Sequence, residues 1–255
     1  MKLLVTGGTG FIGSQICRLA AESGHTVISI ARRGRPNVSD PWTHWVHWRA
    51  ADVFDTTSWA ADLEGCDAVI HCVGVVQEDP KAGVTFERLN GDSLVAVADA
   101  AQAHGVPKIV FVSAAHLPPF VSDRYLFAKR RAEAYLRQLE GVDYAVLRPS
   151  LVYGAERPPT VPLARLAEGM AQLPFVGHLV GDVLPLAVTH VAAGALQSAL
   201  DPTMEGIFSI QDIQRMAATY HPLFTPDPRP GVATLAVTTV LVGAALGLWR
   251  WRREA

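Results

Sequence analysis

Near its N-terminus the chain reads Val5-Thr6-Gly7-Gly8-Thr9-Gly10-Phe11-Ile12-Gly13, directly after the apolar residues Leu3 and Leu4. Gly8, Gly10 and Gly13 match the pattern G-x-G-x-x-G, and Gly7, Gly10 and Gly13 stand three residues apart. In such a turn one glycine lets the backbone leave a strand sharply, one makes room for a pyrophosphate, and one lets the following helix pack on the sheet. The phosphates lie at the N-terminus of that helix. Because a strand pattern precedes the motif and a helix pattern follows it, we predict a dinucleotide site rather than a merely structural turn. The cofactor residues predicted from this turn are Gly7, Thr9, Gly10, Phe11, Ile12 and Gly13.

Composition narrows the class of protein. With 255 residues, 49% of them hydrophobic, the chain is long enough for one α/β domain or one and a half. A net charge of -2 from 22 basic and 24 acidic residues gives no basic surface of the kind that nucleic acid requires. Cys17, Cys66 and Cys72 have no paired spacing, which argues against a disulfide framework or a zinc site and favours a reducing compartment. The glycine turn begins too early to leave room for a secretory signal, so we expect the main domain to be cytoplasmic.

Short apolar runs alternate with longer helical patterns through the first part of the chain. Strands are predicted at residues 2–6, 26–31, 68–72, 109–113 and 144–148, and helices at 11–23 and 122–139. This alternation predicts an α/β fold, a doubly wound parallel sheet of the Rossmann type, over residues 1–149.

The sequence changes character after Pro149. Proline and short apolar pieces become frequent, with predicted helices at 162–172 and 191–200 and a short strand near 207–210. We interpret residues 150–221 as a small cap on the substrate side and residues 222–230 as a proline-rich linker.

Residues 231–249 form an uncharged apolar stretch that ends at Trp249 and is followed by Arg250-Trp251-Arg252-Arg253. A helix of this length spans about 28 Å, close to the hydrocarbon thickness of a bilayer. Together with the aromatic and basic flank, it predicts a single C-terminal transmembrane anchor. The alternative is a buried terminal helix. By the positive-inside rule, the arginines after the span would place the tail on the cytoplasmic side. That rule applies to short loops and not to a large domain, and a cofactor-binding domain belongs in the cytoplasm, so we expect the main domain on the cytoplasmic side.

The end of the second predicted strand bears on which dinucleotide binds. In this fold the strand ends beside the adenosine ribose, where a carboxylate would accept a hydrogen bond from the 2′-hydroxyl. This chain has Arg32 and Arg33 there instead, and a guanidinium pairs bidentately with phosphate. We therefore predict NADP(H) over NAD(H), with Arg32 as the first contact; the alternative is a plain solvated basic loop. By position, further cofactor contacts are predicted after the third and fourth strands at Asp52, Val53, Cys72, Val73 and Gly74.

Tyr125 and Lys129 stand four residues apart in the predicted helix over 122–139, so both project from one helix face. A nearby ammonium favours loss of the phenolic proton, so Tyr125 could exchange a proton with a carbonyl or alcohol oxygen while a nicotinamide carries the hydride. Lys129 would also bind the nicotinamide ribose. The spacing occurs by chance between surface residues, and its position after the glycine turn favours the catalytic interpretation.

The turn at residues 6–13, the Tyr125-x-x-x-Lys129 pair and the segment Arg148-Pro149-Ser150-Leu151-Val152-Tyr153-Gly154 together resemble the extended or atypical short-chain dehydrogenase/reductase superfamily. The likeness covers roughly residues 1–210. Within it, residues 29–36 and 112–129 are similar to the nucleotide-binding accessory subunit of respiratory complex I and to relatives linked to ubiquinone biosynthesis. The resemblance implies NAD(P)H binding with Pro149 among the cofactor contacts, membrane association, and protein partners of a respiratory or quinone-biosynthesis complex.

One position departs from the pattern of active family members. They usually carry a catalytic serine just after the fifth strand, often the second of a Ser-Ser pair, where this chain has Ser113-Ala114. Ser113 is the predicted third catalytic residue beside Tyr125 and Lys129, and Ser122 is the alternative.

Three functions remain open at this point. The leading one is a membrane-anchored NADP(H)-dependent oxidoreductase acting on a quinone-related or other hydrophobic carbonyl substrate. The second is a non-catalytic nucleotide-binding subunit or assembly factor, which Ala114 and the predicted anchor favour. The third is a sugar-nucleotide epimerase, for which the predicted cap is short. His44 and His47 have no third ligand nearby, so no metal is expected.

Overall fold

A computed structural model describes residues 1–117, 121–156 and 184–220. Residues 1–221 group as one compact unit. The predicted helix at 162–172, the linker at 222–230 and the predicted anchor at 231–249 lie outside the described residues. Within the described ranges no helix is both long and apolar enough to cross a bilayer.

Nine strands are present in the described part of the chain. They are β1 (Lys2–Thr6), β2 (Thr26–Ala31), β3 (Val46–Ala50), β4 (Ala68–His71), β5 (Lys108–Val112), β6 (Asp143–Leu147), β7 (Val152–Tyr153), β8 (Leu186–Ala187) and β9 (Gly206–Phe208). The α-helices of the same ranges are α1 (Phe11–Glu22), α2 (Ser93–Ala103), α3 (Arg124–Leu136), α4 (Val188–Leu200) and α5 (Ile210–Tyr220). A π-helix, Glu87–Asp92, leads directly into α2.

Seven strands form one sheet in the order β3-β2-β1-β4-β5-β6-β9, and all its pairings are parallel. The prediction of a doubly wound parallel sheet of the Rossmann type is therefore confirmed. The strand order reverses between β1 and β4, which is where an open α/β sheet leaves a crevice at the carboxyl ends of its strands. That crevice lies next to the glycine turn, since the turn follows β1.

Helices cover both faces of the sheet, as expected for parallel strands whose side chains are buried on both faces. Apolar residues of α2 and α3, such as Leu94 and Leu136, pack in one cluster with alternate residues of the central strands, among them Leu4, Val69 and Phe111. On the other face α1 contacts α4, and α4 also contacts β4, β5 and β6. Because strand side chains alternate between faces, the buried Leu3 and Val5 face this second layer.

The part of the chain after Pro149 also contributes to the main sheet. β9 pairs with β6 from Ala145 to Leu147, and α5 follows β9 and packs on α4. β7 and β8 pair with each other as a separate two-stranded parallel ribbon. The boundaries of the predicted cap at 150–221 remain a prediction, because most of its first half is outside the described residues.

Candidate functional site

The glycine turn between β1 and α1 is built by backbone contacts. Gly7 has φ +76°, a conformation that glycine adopts without strain. Its N–H donates to the carbonyl oxygen of Ile30 at 2.8 Å, and its own carbonyl accepts from the N–H of Gly10 at 2.9 Å. A Cβ on Gly7 would lie 3.1 Å from the carbonyl carbon of Cys72 and the nitrogen of Val73. The turn is thus pressed against the backbone that follows β4.

The other glycines of the turn meet different neighbours. A Cβ on Gly8 would lie 2.2 Å from Oγ of Ser29, so this glycine permits packing on β2. A Cβ on Gly13 would lie 2.3 Å from the carbonyl oxygen of Gly7, so this glycine lets α1 begin against the turn. At Gly10, apart from the adjoining residues, such a Cβ would meet one atom of the described ranges within 4 Å, the same carbonyl oxygen at 3.1 Å. Gly10 therefore provides the room that an approaching pyrophosphate needs.

A cavity of about 610 Å³ opens at this edge of the sheet. Its walls come from the glycine turn, from the segments that follow β2, β3 and β4, and from the residues leading into α2. The residues lining it are Gly7, Thr9, Gly10, Ile30, Ala31, Arg32, Arg33, Ala51, Asp52, Val53, Phe54, Cys72, Val73, Gly74, Val75, Ala82, Gly83, Val84, Arg88 and Leu89.

Most residues predicted to hold a cofactor line this one cavity. They are Gly7, Thr9, Gly10, Arg32, Arg33, Asp52, Val53, Cys72, Val73 and Gly74. Phe11, Ile12 and Gly13 form the first turn of α1 and are not among the lining residues. Its N-cap residue, Gly10, has no side chain to cap the helix, and the first turn has no acidic residue. A helix N-terminus of this kind favours an anion.

The arginines after β2 are exposed. Neither Arg32 nor Arg33 makes a side-chain hydrogen bond or an ion pair within the described ranges, whereas Arg35 donates to Thr43 at 2.8 Å. Asp52 accepts a hydrogen bond from the backbone N–H of Phe54 at 3.0 Å, which fixes the turn after β3. The basic side of the cavity therefore has two guanidinium groups available to a ligand.

The segment after β4 is fixed by hydrogen bonds to the side chain of Asn90, a buried residue of the π-helix. Its side-chain oxygen accepts from the N–H of Val75 at 2.7 Å, and its side-chain nitrogen donates to the carbonyl of Val75 at 2.9 Å. Burial raises the pKa of the Cys72 thiol to about 12, so this cavity-lining cysteine is a neutral thiol. Asn90 was not predicted from the sequence, because the π-helix breaks the helical periodicity there.

His71, at the end of β4, is fully buried. Its ring nitrogens lie 2.8 Å from Oγ1 of Thr6 and 3.1 Å from Oγ of Ser93, and Ser93 in turn donates to the carbonyl of Leu89. Burial, with a smaller contribution from Lys129, lowers the pKa of His71 to about 3. The neutral ring links β1, β4 and α2 beneath the cavity.

Tyr125 and Lys129 both lie on the buried face of α3. The Tyr125 ring packs edge-on against Phe86, with 5.7 Å between ring centroids, in a cluster that includes Ala114 and Ala128. Nζ of Lys129 donates to the carbonyl of Val112 at 2.9 Å. Burial lowers the pKa of Lys129 to about 8, against the opposing influence of Cys72 and Glu133. A Cβ on Gly74 would lie 3.2 Å from this ammonium, which is therefore directly behind the cavity wall.

Ser113 belongs to a buried charged cluster beside these two residues. Its hydroxyl donates to Oε1 of Glu133 at 2.5 Å, and Glu133 is fully buried between Arg130 and Arg148. Burial would raise the pKa of Glu133, but its hydrogen bonds to Arg148 and Ser113 and the two arginine charges hold it below its usual value. The alternative serine, Ser122, is exposed and donates to Asp123 at 3.2 Å.

The predicted catalytic residues do not line the cavity themselves. Tyr125, Lys129 and Ser113 are absent from its walls. Pro149, which was predicted as a cofactor contact, is absent too, and its carbonyl accepts a hydrogen bond from the N–H of Ala115 at 2.7 Å. Ser113 and Pro149 follow β5 and β6, which lie beyond β4 in the sheet order, whereas Arg32 and Arg33 follow β2 on the other side of β1. The part of the chain that the structure describes holds no cluster of three or more residues suited to a metal.

Residues 3–174 match the model of the NAD dependent epimerase/dehydratase family. The chain belongs to this family. The match spans most of the chain, and it confirms the resemblance to the extended short-chain dehydrogenases/reductases at the level of the family.

The individual relatives have names that point to different roles. The chain is 33% identical to an uncharacterized chloroplastic protein of Arabidopsis thaliana, over 85% of this chain and 77% of that protein. It is 23% identical to MIOREX complex component 2 of Saccharomyces cerevisiae, over 83% and 98%, and 29% identical to a ceramide reductase of Caulobacter vibrioides, over 85% and 66%. Among solved structures, MoeE5 in complex with UDP-glucose and NAD shares the fold, with a TM-score of 0.58 at 21% identity over 87% of this chain and 82% of that one.

Proposed function

We propose that the chain binds NADP(H) in the cavity beside the glycine turn and uses it to reduce or oxidise a hydrophobic substrate. The observation that carries the proposal is the cavity itself, whose walls include both Gly10, the N-cap residue of α1, and Arg32 and Arg33 after β2. The open space at Gly10 before the helix N-terminus suits a pyrophosphate, and the two arginines suit a 2′-phosphate.

The residues present fit such a cofactor. A side chain at Gly10 would fill the space in front of the helix N-terminus, and the glycine leaves it open. Arg32 and Arg33 have no carboxylate partner within the described ranges, so their charges are available to a phosphate. The bound nicotinamide would supply or accept the hydride.

The remaining chemistry falls to residues of α3. Tyr125 gives a proton to the carbonyl oxygen during reduction and takes it back from the alcohol during oxidation. The Lys129 ammonium, held by the carbonyl of Val112, stabilises the negative charge that then develops on the phenol. The apolar surroundings of Tyr125, which include Phe86 and Ala114, suit a hydrophobic carbonyl compound. A relative named ceramide reductase supports this class of substrate, of which quinone-related lipids are another example.

A non-catalytic role is the second candidate, and Ser113 favours it. Its hydroxyl is committed to Glu133 and Ala114 follows it, so neither residue offers a free donor to a substrate oxygen. In this role the bound nucleotide would stabilise a subunit of a larger assembly, and the relative named as a MIOREX complex component supports such partners. The epimerase alternative rests on the family and on neighbours solved with sugar nucleotides.

Turnover distinguishes these candidates. The 255-residue chain is mixed with NADPH and, in turn, with long-chain ketones, short-chain quinones and UDP-sugars, and the absorbance of NADPH and the products are followed. We expect NADPH oxidation with a ketone or quinone, and a loss of at least about a hundredfold in rate for Tyr125→Phe with unchanged NADPH affinity. Turnover by Tyr125→Phe at the wild-type rate would contradict the role of Tyr125 as the general acid. Tight NADPH binding without turnover would favour the non-catalytic role.

Membrane attachment through residues 231–249, with the main domain on the cytoplasmic side, remains part of the proposal. The support is the uncharged sequence and its Trp-Arg flank. Deletion of residues 231–255 is expected to move the protein from the membrane fraction to the soluble fraction, and retention of the shortened chain in membranes would contradict an anchor.

A further inference from the structure

The cavity carries more positive charge than the two arginines found from the sequence. Arg88 also lines it, and Asp52 is the single carboxylate on its walls in the described part of the chain. Three guanidinium groups against one carboxylate give the cavity a surplus positive charge, which favours an anionic ligand.

Arg88 is held in place by an aromatic ring. Its Cζ lies 4.2 Å from the ring centroid of Phe54. Phe54 follows β3, whereas Arg88 belongs to the π-helix before α2, so the contact joins two segments of the cavity wall that are far apart in the sequence. A guanidinium over a ring face is held by a cation–π attraction, and because the group has five N–H bonds, the contact leaves donors for other partners.

Those N–H groups have no partner within the described ranges. The neighbouring arginines behave differently, because Arg124 pairs with Glu78 and Glu87, and Arg131 pairs with Asp92. The side chain of Arg88 is thus oriented by Phe54 yet not neutralised. An oriented guanidinium without a carboxylate partner is suited to bind a phosphate bidentately.

The sheet order indicates which phosphate this is. Gly10 and the start of α1 follow β1, whereas Phe54 follows β3, two strands further toward the edge of the sheet. In this fold the pyrophosphate lies at the first position and the adenosine end extends toward the second. We propose that Arg88, stacked on Phe54, binds the 2′-phosphate of the adenosine together with Arg32 and makes the cavity select the phosphorylated dinucleotide. This inference rests on the proposed function.

The test measures a ratio of affinities. Dissociation constants for NADPH and NADH are determined by calorimetry for the wild-type chain, for Arg88→Ala and for Arg88→Lys, with Arg137→Ala as a matched control because Arg137 is exposed and outside the cavity. We expect Arg88→Ala to weaken NADPH binding about tenfold and to leave NADH binding nearly unchanged. Arg88→Lys, which keeps the charge but loses the flat face, is expected to lie between the two, and Arg137→Ala to match the wild type.

Phe54→Leu separates orientation from charge. It removes the ring while keeping the three arginines, and we expect a smaller loss that again falls on NADPH. Equal weakening of both dinucleotides in Arg88→Ala would mean that Arg88 stacks on adenine, and would overturn the proposal, as would an unchanged ratio. If the wild type binds both dinucleotides and only the ratio fails to respond, the proposed function stands without this inference. If the wild type binds neither NADPH nor NADH, the proposed function and this inference are both contradicted.

Discussion

At the scale of single residues, the turn between β1 and α1 shows why its glycines are not equivalent. Gly13 faces the carbonyl oxygen of Gly7 at a distance that no real Cβ tolerates, while Gly10 faces the cavity. In the pattern G-x-G-x-x-G the second glycine makes room for the pyrophosphate and the third lets the helix pack, and the contacts of Gly10 and Gly13 agree with that order. The sequence does not display the atom that excludes a side chain at Gly13, which is the carbonyl oxygen of Gly7.

Alanine at Gly13 should therefore reduce stability, whereas alanine at Gly10 should reduce dinucleotide binding. Gly13→Ala forces the backbone of the turn apart, and we expect it to lower the free energy of unfolding by about 2 kcal/mol or more. Gly10→Ala should fold with a nearly unchanged melting temperature and lose dinucleotide binding, because the methyl group occupies the pyrophosphate space. Thermal unfolding and calorimetric titration of both variants check this. A Gly10→Ala protein that binds as tightly as the wild type would place the pyrophosphate elsewhere.

Lys129 gives a prediction with a defined pH window. Its pKa is lowered from 10.5 to about 8 in the folded protein, mainly by burial. Between these values the unfolded chain binds a proton that the folded chain does not, so this group makes the folded state more stable as the pH rises. Lys129→Met lacks the effect. The stability of Lys129→Met relative to the wild type should therefore fall by up to about 3 kcal/mol from below pH 8 to above pH 10.5.

Denaturant unfolding at several pH values measures this difference. Lys81→Met serves as the control, because Lys81 is exposed and its substitution should leave the pH profile unchanged. A parallel profile for Lys129→Met and the wild type would show that the ammonium keeps its ordinary affinity for protons in the folded chain.

At the scale of elements, α3 carries the proposed catalytic residues Tyr125 and Lys129. Its buried face carries Tyr125, Lys129 and Glu133. Glu133 ties the helix to the ends of β5 and β6 through Ser113 and Arg148. The position of Tyr125 over the sheet therefore depends on a carboxylate two turns along the same helix.

Removing the charge of Glu133 should loosen this helix. Glu133→Gln leaves Arg130 and Arg148 side by side without a carboxylate, and we expect a loss of about 2 kcal/mol in unfolding free energy at neutral pH. The folded-state pKa of Glu133 lies below its ordinary value of 4.5. Its contribution is therefore present above that value and disappears as the pH falls through the lower, folded-state pKa, so wild type and variant should converge in acid. Glu140→Gln, at an exposed position, is the control in the same denaturation series. A difference in unfolding free energy between wild type and Glu133→Gln that stays constant at all pH values would show that the Glu133 charge does not stabilise the helix.

Several regular elements could be predicted from the sequence, but β3, α2 and α5 have no predicted bounds. The apolar runs of β1, β2 and β4 are typical of parallel strands buried on both faces, and the predicted and observed bounds agree closely. The predicted helix at 122–139 is shorter in the structure, at Arg124–Leu136. The π-helix that carries Arg88 and Asn90 has no such pattern, so both residues were missed.

At the scale of the whole molecule, the parallel sheet gathers residues that are distant in the sequence. Arg32, Asp52 and Cys72 follow three different strands, and the common edge of the sheet brings them to one cavity. This much follows from the strand alternation, since the carboxyl ends of parallel strands meet at one edge. The sequence does not reveal that Ser113 donates to Glu133, because that contact depends on how α3 is rotated over the sheet.

Binding of the dinucleotide tests the whole account most directly. Calorimetry of the 255-residue chain should show one NADPH bound per chain, with NADH bound more weakly, and Arg32→Ala should weaken NADPH by about tenfold while sparing NADH. No measurable binding of either NADPH or NADH to the wild-type chain would contradict the central claim that this cavity is a dinucleotide site.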